Sequence, residues 1–398
     1  MNPVKVCDLT HWIGTNDYET HLFEGIWPLP RGVSYNSYLI TDDKVAMIDA
    51  VKHGFAAGEI RKIQAVAGGR KVDYLVVNHM EPDHSGAIPL LRAIYPELVL
   101  VGNRKTAEML KGFYGITENV KLITDGDELD LGSHKLKFFL TPMVHWPETM
   151  MTYDLATKVL FSGDAFGGFG ALADGVFDDQ VDREYYKVEV LRYFTNIVAK
   201  YSPMVHKAIE RLAGLDIAII APTHGPVWRS DPGEIVGRYD RWSRRQTQEG
   251  ATVIFGSMYG NTERMAEAVA GGLVEGGIAT IRVHNISRAE PSFVLNDVWE
   301  WEGLALGSPT YNTRLFPLMD DFLRLVANLQ IPSRPVGIFG TYGWSKGAVA
   351  ALEEFARGGK WNLIEPIIEA HCSATDKQLD DCRQLGTNLA KAIKAKGA

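Results

Sequence analysis

Up to about residue 240 the chain is a series of short apolar stretches divided by turn residues. They read "SYNSYLI" (34–40), "KVAMIDA" (44–50), "DYLVVN" (73–78), "LVLVGN" (98–103), "KLKFFLT" (135–141), "KVLFSGD" (158–164) and "IAIIAPT" (217–223). Several are rich in β-branched or aromatic residues, and all have strand length, so they predict strands. Between them, "HSGAIPLLRAIYP" (84–96) and "RKTAEMLKGFYG" (104–115) look helical, the second closing on glycine as helices often do. Sheets covered by helices follow from that mixture.

The pattern changes near residue 250, after the polar segment "YDRWSRRQTQEG" (239–250), read as a linker or the tail of a helix. Strand "ATVIFGS" leads to helix "NTERMAEAVAGGLVEGG", then strands "ATIRVHN" and "GLALGSP", helix "LFPLMDDFLRLVANL", strand "RPVGIFGTYG" and helix "KGAVAALEEFARGG". Alternating strands and helices predict right-handed crossovers and a doubly wound parallel sheet. Two domains are expected, 1–248 and 249–398.

Composition narrows the class. The 398 residues are 46% hydrophobic and 23% charged, as in soluble globular proteins. No run approaches the ~18 apolar residues of a spanning helix, and "MNPVKVCDLTHWIG" lacks a signal-peptide core. A net charge of −8 argues against nucleic acid and anionic membrane as partners. Cys7, Cys372 and Cys382 form no CxxC pair, which excludes a zinc ribbon, a rubredoxin-type iron site and a disulfide framework within the sequence. That usage suits a reducing cytosol, so a cytoplasmic protein is expected.

In the second half, "GSMYGNTERMAEAV" sets Ser257, Met258, Tyr259, Gly260, Asn261 and Thr262 between a buried strand and a helix. Backbone N–H groups and the helix dipole favour an anion there. The P-loop lysine is absent, which counts against a nucleoside triphosphate. Two more strand ends match: "SPTYN" places Ser308, Pro309, Thr310, Tyr311 and Asn312 in one loop, and "GTYGW" places Thr341, Tyr342, Gly343 and Trp344 in another. Loops at the carboxyl ends of such strands form the ligand crevice, and their aromatics suit a planar ring. Together the three loops resemble the flavodoxin family over 251–398. The resemblance implies non-covalent flavin mononucleotide, FMN, with Tyr311 and Trp344 nearest its ring.

In the first half, "NHMEPDHSGA" (78–87) follows an apolar strand and carries His79, Glu81, Asp83 and His84. Ligands at alternate loop positions can converge on one ion, while Asp83 and His84 can serve a second. Three more candidates each end an apolar run: His145 in "TPMVHWPETM", Asp164 in "FSGDAFG" and His224 in "PTHGPVWR". Alone, His145 or His224 reads as a structural histidine and Asp164 as a turn cap; seven at strand ends point to metal. The other histidines (His11, His21, His53, His134, His206, His284 and His371) lack that context. Trp146, Phe23 and Tyr193 read first as core aromatics.

The order of these motifs resembles the metallo-β-lactamase fold family, an αββα sandwich, from about residue 30 to 230. It departs at Glu81, where the zinc hydrolases have a second histidine. Zinc accepts imidazole-rich sets, whereas iron tolerates mixed histidine and carboxylate sets. The resemblance implies one metal on His79, Glu81 and His145, the other on Asp83, His84 and His224, with Asp164 bridging. His84 shares a crowded turn with Asp83, so it either ligates directly or stands just off the ion.

A carboxylate-enriched dimetal domain joined to a flavodoxin-like domain resembles the flavodiiron proteins, also called A-type flavoproteins. That implies two iron ions and FMN, with reduction of dioxygen to water, of nitric oxide to nitrous oxide, or both. It also implies an external donor, rubredoxin or a reduced deazaflavin coenzyme. In the family the two cofactors of one chain are far apart, so a head-to-tail homodimer or a dimer of dimers is expected. Two other readings are a dizinc hydrolase with an accessory flavodoxin domain, which Glu81 argues against, and a non-catalytic electron carrier, which an intact ligand set argues against.

Overall fold

The computed structural model describes residues 1–396. The backbone divides into two compact units, one spanning Met1–Arg244 and the other running from Arg245. The helix Pro232–Ser243 closes the first, and the strand Gln248–Phe255 is the first element of the second. The polar stretch at 239–250 is therefore part helix, part strand.

The first unit is an αββα sandwich. Its seven-stranded sheet runs in space from Val4–Cys7 through Thr10–Trp12, Tyr38–Thr41, Val45–Ile48, Tyr74–Val76 and Val99–Gly102 to Val120–Leu122. Pairing is antiparallel up to Val45–Ile48 and parallel beyond it. The five-stranded sheet runs Glu128–Asp130, Lys135–Leu140, Met150–Asp154, Val159–Gly163 and Ile219–Pro222, only the last pair being parallel. One continuous core joins the sheets: Tyr38, Ile48, Val76 and Val101 from one pack with Phe138, Met150, Phe161 and Ala221 from the other. All seven predicted stretches became strands. The helices Arg183–Tyr193 and Ser202–Leu212 and the first two strands were not foreseen.

Outside the inter-sheet core, Glu59 of the helix Ala56–Ala67 is buried and accepts a hydrogen bond from Ser37 Oγ at 2.6 Å. Burial pushes its carboxyl up to about 8, against the pull of Ser37 and Lys62. The folded chain therefore holds this proton more tightly than the unfolded chain, whose value is 4.5. The contribution is complete below pH 4.5 and is lost as pH rises through about 8. Glu59→Gln should flatten the stability profile across that window by on the order of 5 kcal/mol, read from urea midpoints at its two ends.

The second unit carries a sheet of parallel strands in the spatial order Ile281–Asn285, Gln248–Phe255, Trp301–Tyr311, Pro335–Tyr342 and Asn362–His371. The order doubles back at the first strand in sequence, as in flavodoxin-like sheets. The helices Asn261–Glu275 and Asp376–Lys396 pack together over one face, with Val269 and Leu273 against Leu385 and Leu389. The strand Asn362–His371 and the helices Pro291–Glu300 and Asp376–Lys396 were not among the predicted elements.

Candidate dimetal and flavin sites

Four strand ends of the first unit bring the candidate ligands to one edge of the sandwich. His79, Glu81, Asp83 and His84 follow Tyr74–Val76; His145 follows Lys135–Leu140; Asp164 follows Val159–Gly163; His224 follows Ile219–Pro222. The seven-stranded sheet supplies the first strand and the five-stranded sheet the other three. Asp83 and His84 lie on a short helix, Pro82–Ser85, which turns both toward the metal-facing edge.

The stretch "SYNSYLI" fixes the His224 loop through alternate residues, which share one face of an extended chain. The Ser34 carbonyl accepts from His224 Nδ1 at 2.7 Å, and Ser34 Oγ accepts from the Gly225 N–H. Asn36 Nδ2 donates to the Pro222 and Gly225 carbonyls at 2.9 and 2.8 Å, and Tyr38 donates to the Pro222 carbonyl at 2.7 Å. Gly225 has φ +69, and a Cβ there would stand 2.9 Å from the Gly168 nitrogen. Only glycine lets the His224 loop lie against the segment following Asp164.

The ligand atoms form two groups. His79, Glu81, His145 and Asp164 make one; Asp83, His84 and His224 make the other. In the first, Glu81 Oε2 is 3.2 Å from both His79 Nε2 and His145 Nε2, and Asp164 Oδ2 is 3.4 and 3.0 Å from the same atoms. In the second, His84 Nε2 is 3.4 Å from Asp83 Oδ1, and His224 Nε2 is 3.3 Å from Asp83 Oδ2. Asp164 Oδ1 faces this second group, 3.1 Å from His84 Nε2 and 3.8 Å from His224 Nε2. One carboxylate thus offers one oxygen to each group. Donor atoms about 2.1 Å from a shared ion stand about 3.0–3.4 Å apart in octahedral or tetrahedral arrangements, so these spacings fit metal ions.

The polar accounting agrees. Both Asp83 oxygens, both His84 ring nitrogens and His224 Nε2 are buried without a hydrogen-bond partner. Buried polar atoms are seldom left so, and a cation would satisfy the set. His84 is completely buried and points Nε2 at Asp83 and Asp164, a direct ligand's geometry. Burial alone would discharge the histidines, yet neighbouring carboxylates hold His79 well above its usual range and raise His84 and His145 to about 9. Protons on these imidazoles balance the carboxylates where ions would otherwise do so, and metal binding must displace them.

Two supporting acids went unread in the sequence. Asp49, in "KVAMIDA", accepts from the Asn78 N–H at 2.7 Å, Asn78 Nδ2 at 3.0 Å and the His79 N–H at 3.3 Å. Glu148, in "HWPETM", is fully buried and accepts from His79 Nδ1 at 2.8 Å and the Met80 N–H at 3.0 Å. The Glu148 bond fixes the His79 tautomer and leaves Nε2 free for an ion. Losing such a support typically costs 10–100-fold in metal affinity, so Glu148→Gln should lose about 10-fold and Glu148→Ala about 100-fold. Chelator competition read by metal analysis checks both.

Aromatic rings enclose the groups. Phe23 and Tyr193 stand 5.3 and 5.4 Å from the His224 ring, and Trp146 stands 5.2 Å from the His79 ring, centroid to centroid. These three are packing residues, as their composition suggested, and what they pack against is the histidine set. A cavity of about 550 Å³ reaches Glu81 and Asp83 between Phe23, Glu24, Tyr35, Lys52 and Tyr114.

In the second unit the predicted flavin residues gather at the carboxyl ends of three strands. Ser257 to Gly260 form the turn after Gln248–Phe255, and Asn261 and Thr262 open the helix Asn261–Glu275. Gly260 takes φ +89 and donates its N–H to Ser257 Oγ at 3.0 Å. The hydroxyls of Thr262 and Thr341 are 2.9 Å apart, joining the first loop to the third. Ser308, Pro309, Thr310 and Tyr311 lie in the strand Trp301–Tyr311, not in a loop as expected. Parallel pairing continues through Ser308↔Gly340 and Pro309↔Thr341, so strand geometry persists past the predicted turn. Thr341 and Tyr342 likewise end a strand; Asn312 is in a hairpin turn, and Gly343 and Trp344 lie beyond the sheet. Met258, Tyr259, Tyr311 and Trp344 are 44, 90, 43 and 80% exposed. An anion-binding helix start beside exposed aromatics fits a flavin phosphate and ring.

Comparison with known proteins agrees with both halves. Residues 33–225 match the ODP family of beta lactamases, and residues 253–386 match flavodoxin. The chain is 35% identical to a nitric oxide reductase of Moorella thermoacetica, covering 98% of this chain and 99% of that one. Its fold is similar to that of rubredoxin oxygen:oxidoreductase from Desulfovibrio gigas, with TM-score 0.95, 27% identity and 100% of both chains covered. It is also similar to the flavodiiron protein of Giardia intestinalis, with TM-score 0.94, 30% identity, and 99% of this chain and 97% of that one covered. A lactamase-fold dimetal cradle followed by a flavodoxin unit, matched along its length by such relatives, makes this chain a member of the flavodiiron protein family.

Proposed function

We propose that this flavodiiron-type oxidoreductase reduces nitric oxide to nitrous oxide, dioxygen to water, or both, at a non-heme diiron centre. His79, Glu81 and His145 would hold one iron and Asp83, His84 and His224 the other, with Asp164 shared between the two groups. The observation carrying the reading is Asp164, whose two oxygens face two separate donor groups. When bound, FMN would take electrons in pairs and release them singly, and the iron pair would supply one-electron redox chemistry to the gas.

The chain's own residues prepare that chemistry. Ser34 and Glu148 hold the Nδ1 protons of His224 and His79, so each presents Nε2. Thr223 donates to Asp164 Oδ1 at 2.6 Å and fixes the carboxylate plane. Glu81 adds the negative charge that a histidine would not, favouring ions that cycle between ferrous and ferric states. Phe23, Tyr193 and Trp146 cover the imidazoles and limit water around them.

An external donor supplies the electrons. Rubredoxin is the first choice, supported by the name of the Desulfovibrio relative, and a reduced deazaflavin coenzyme is the second. The exposed aromatics of the flavin unit support a head-to-tail homodimer, or a dimer of such dimers, which would cover them; an active monomer by ultracentrifugation would overturn it. No helix among the described residues is long and apolar enough to cross a membrane; the cysteine usage is what supports a cytoplasmic site of action. Metal and flavin analysis, followed by anaerobic rapid mixing of the reduced protein with each gas, tests the reading. Two irons, one FMN and flavin reoxidation by at least one gas are expected; two zincs with ester hydrolysis would replace it by a hydrolase.

A further inference from the structure

Gas reduction consumes protons as well as electrons. Dioxygen, four electrons and four protons give two waters; two nitric oxides, two electrons and two protons give nitrous oxide and water. The carboxylates that ligate iron cannot also carry those protons. Apart from Glu81 and Asp83, the cavity reaching the metal groups is lined by one carboxylic acid, Glu24; its other ionisable side chains are Tyr35, Lys52, His53 and Tyr114.

Glu24 is placed by an unusual turn. The strands Leu22–Phe23 and Trp27–Pro28 form a hairpin whose tip is closed by the Ile26 N–H donating to the Phe23 carbonyl at 3.0 Å. Glu24 and Gly25 take φ +51 and +75. Glycine or asparagine suits the first of these positions, and a side chain as long as glutamate's is rarely found there. Phe23 is buried with its ring against His224, so the hairpin is seated on the metal site. The next residue, Glu24, is on the exposed rim and lines the same cavity as Glu81 and Asp83. It stands at the junction of solvent and site.

Three of the four other candidates have partners of their own, and the fourth, His53, lies exposed on the short helix His53–Phe55. Lys52 Nζ is engaged by Thr20 Oγ1 at 2.8 Å and Asp17 Oδ2 at 3.6 Å, and Tyr35 donates to Asp17. Tyr114 and Ser85 share a hydroxyl–hydroxyl bond of 2.8 Å. No hydrogen bond or ion pair is formed by the Glu24 carboxyl among the described residues, which leaves it able to rotate between water and the cavity.

Resting on the reading above, we infer that Glu24 is the proton-carrying residue of the gas-reduction site, taking protons from solvent at the cavity rim and passing them inward. Each transfer returns the carboxyl to its charged form, and solvent reprotonates it, so no net charge accumulates on the chain.

Glu24→Gln and Glu24→Asp test this, each loaded with iron and FMN beside the wild type. Both should keep the wild-type iron and flavin content and the rate of flavin reduction by the donor. Turnover of the gas should fall about 100-fold in Glu24→Gln, the lower range for losing a positioned proton donor. It should return in part in Glu24→Asp, or on adding acetate to Glu24→Gln, and the solvent deuterium effect should rise in Glu24→Gln. Wild-type turnover with an unchanged isotope effect in Glu24→Gln would overturn the proposal, as would a loss of activity that merely follows a loss of iron. Wild-type protein inert to both gases would instead overturn the function on which it rests.

Discussion

Asp164→Asn should leave a yellow protein that its donor still reduces but that neither gas reoxidises above background. The substitution keeps the shape of the side chain and removes its charge. In the intact site, burial opposes ionisation of Asp164, yet the charges of His79 and His84, with a hydrogen bond from His145, hold it well below the usual carboxylate range. Its Oδ2 faces the first donor group at 3.0–3.4 Å and its Oδ1 the second at 3.1–3.8 Å. An amide offers one neutral oxygen, so at most one ion keeps a complete set, and iron should fall below two per chain. Metal-free protein should also lose roughly 3 kcal/mol, the low end for breaking a buried ion pair, because the imidazoles can shed their protons. FMN content should be unchanged, since its site lies in the other unit. Two irons and normal turnover in Asp164→Asn would remove the bridge from the account.

That the fold gathers all seven candidate residues picked out in the sequence has a physical reason. Ligands at strand ends follow apolar runs, and the runs are visible because a sandwich core needs them. The supporting acids are hidden for the complementary reason. Asp49 and Glu148 also end or follow strands, but their partners lie 29 and 69 residues away, and only the packing of the two sheets brings them together. Read locally, "MIDA" is the end of a strand and "WPET" a turn. Asn78 shows the same limit: its side chain donates to Asp49, accepts from Thr152 at 2.7 Å, and its carbonyl accepts from Met150, so it clamps both sheets beside His79. The three candidate flavin segments stood out as a set because each follows or ends a buried parallel strand. Their limits were not, because strand pairing continues through Thr310 and Thr341 whatever their local turn preference.

Glu81→His should move the site from iron toward zinc and abolish gas reduction. Glu81 is the one member of the first group that the zinc hydrolases would replace by imidazole. Its Oε2 stands 3.2 Å from two histidine nitrogens at once, so it completes a set of two imidazoles and two carboxylates with Asp164. Burial disfavours its charge, and hydrogen bonds with His145 and His79 more than reverse that, holding the carboxyl far below its usual range. A histidine there would give three imidazoles and one carboxylate, a set matched to zinc, and would withdraw one negative charge from an ion that must become ferric. Space is not the obstacle, because Glu81 borders the cavity of about 550 Å³. Protein produced with both metals supplied should carry mainly zinc in Glu81→His and mainly iron in the wild type, with equal FMN and equal reduction by the donor. Iron reconstituted into the variant separates selectivity from reactivity: a bound diiron pair that still fails to reoxidise the flavin shows that the carboxylate is needed for the chemistry. Wild-type metal content together with wild-type turnover would mean that Glu81 is interchangeable with histidine, and the choice of iron would then have to come from the supporting residues around Asp49 and Glu148.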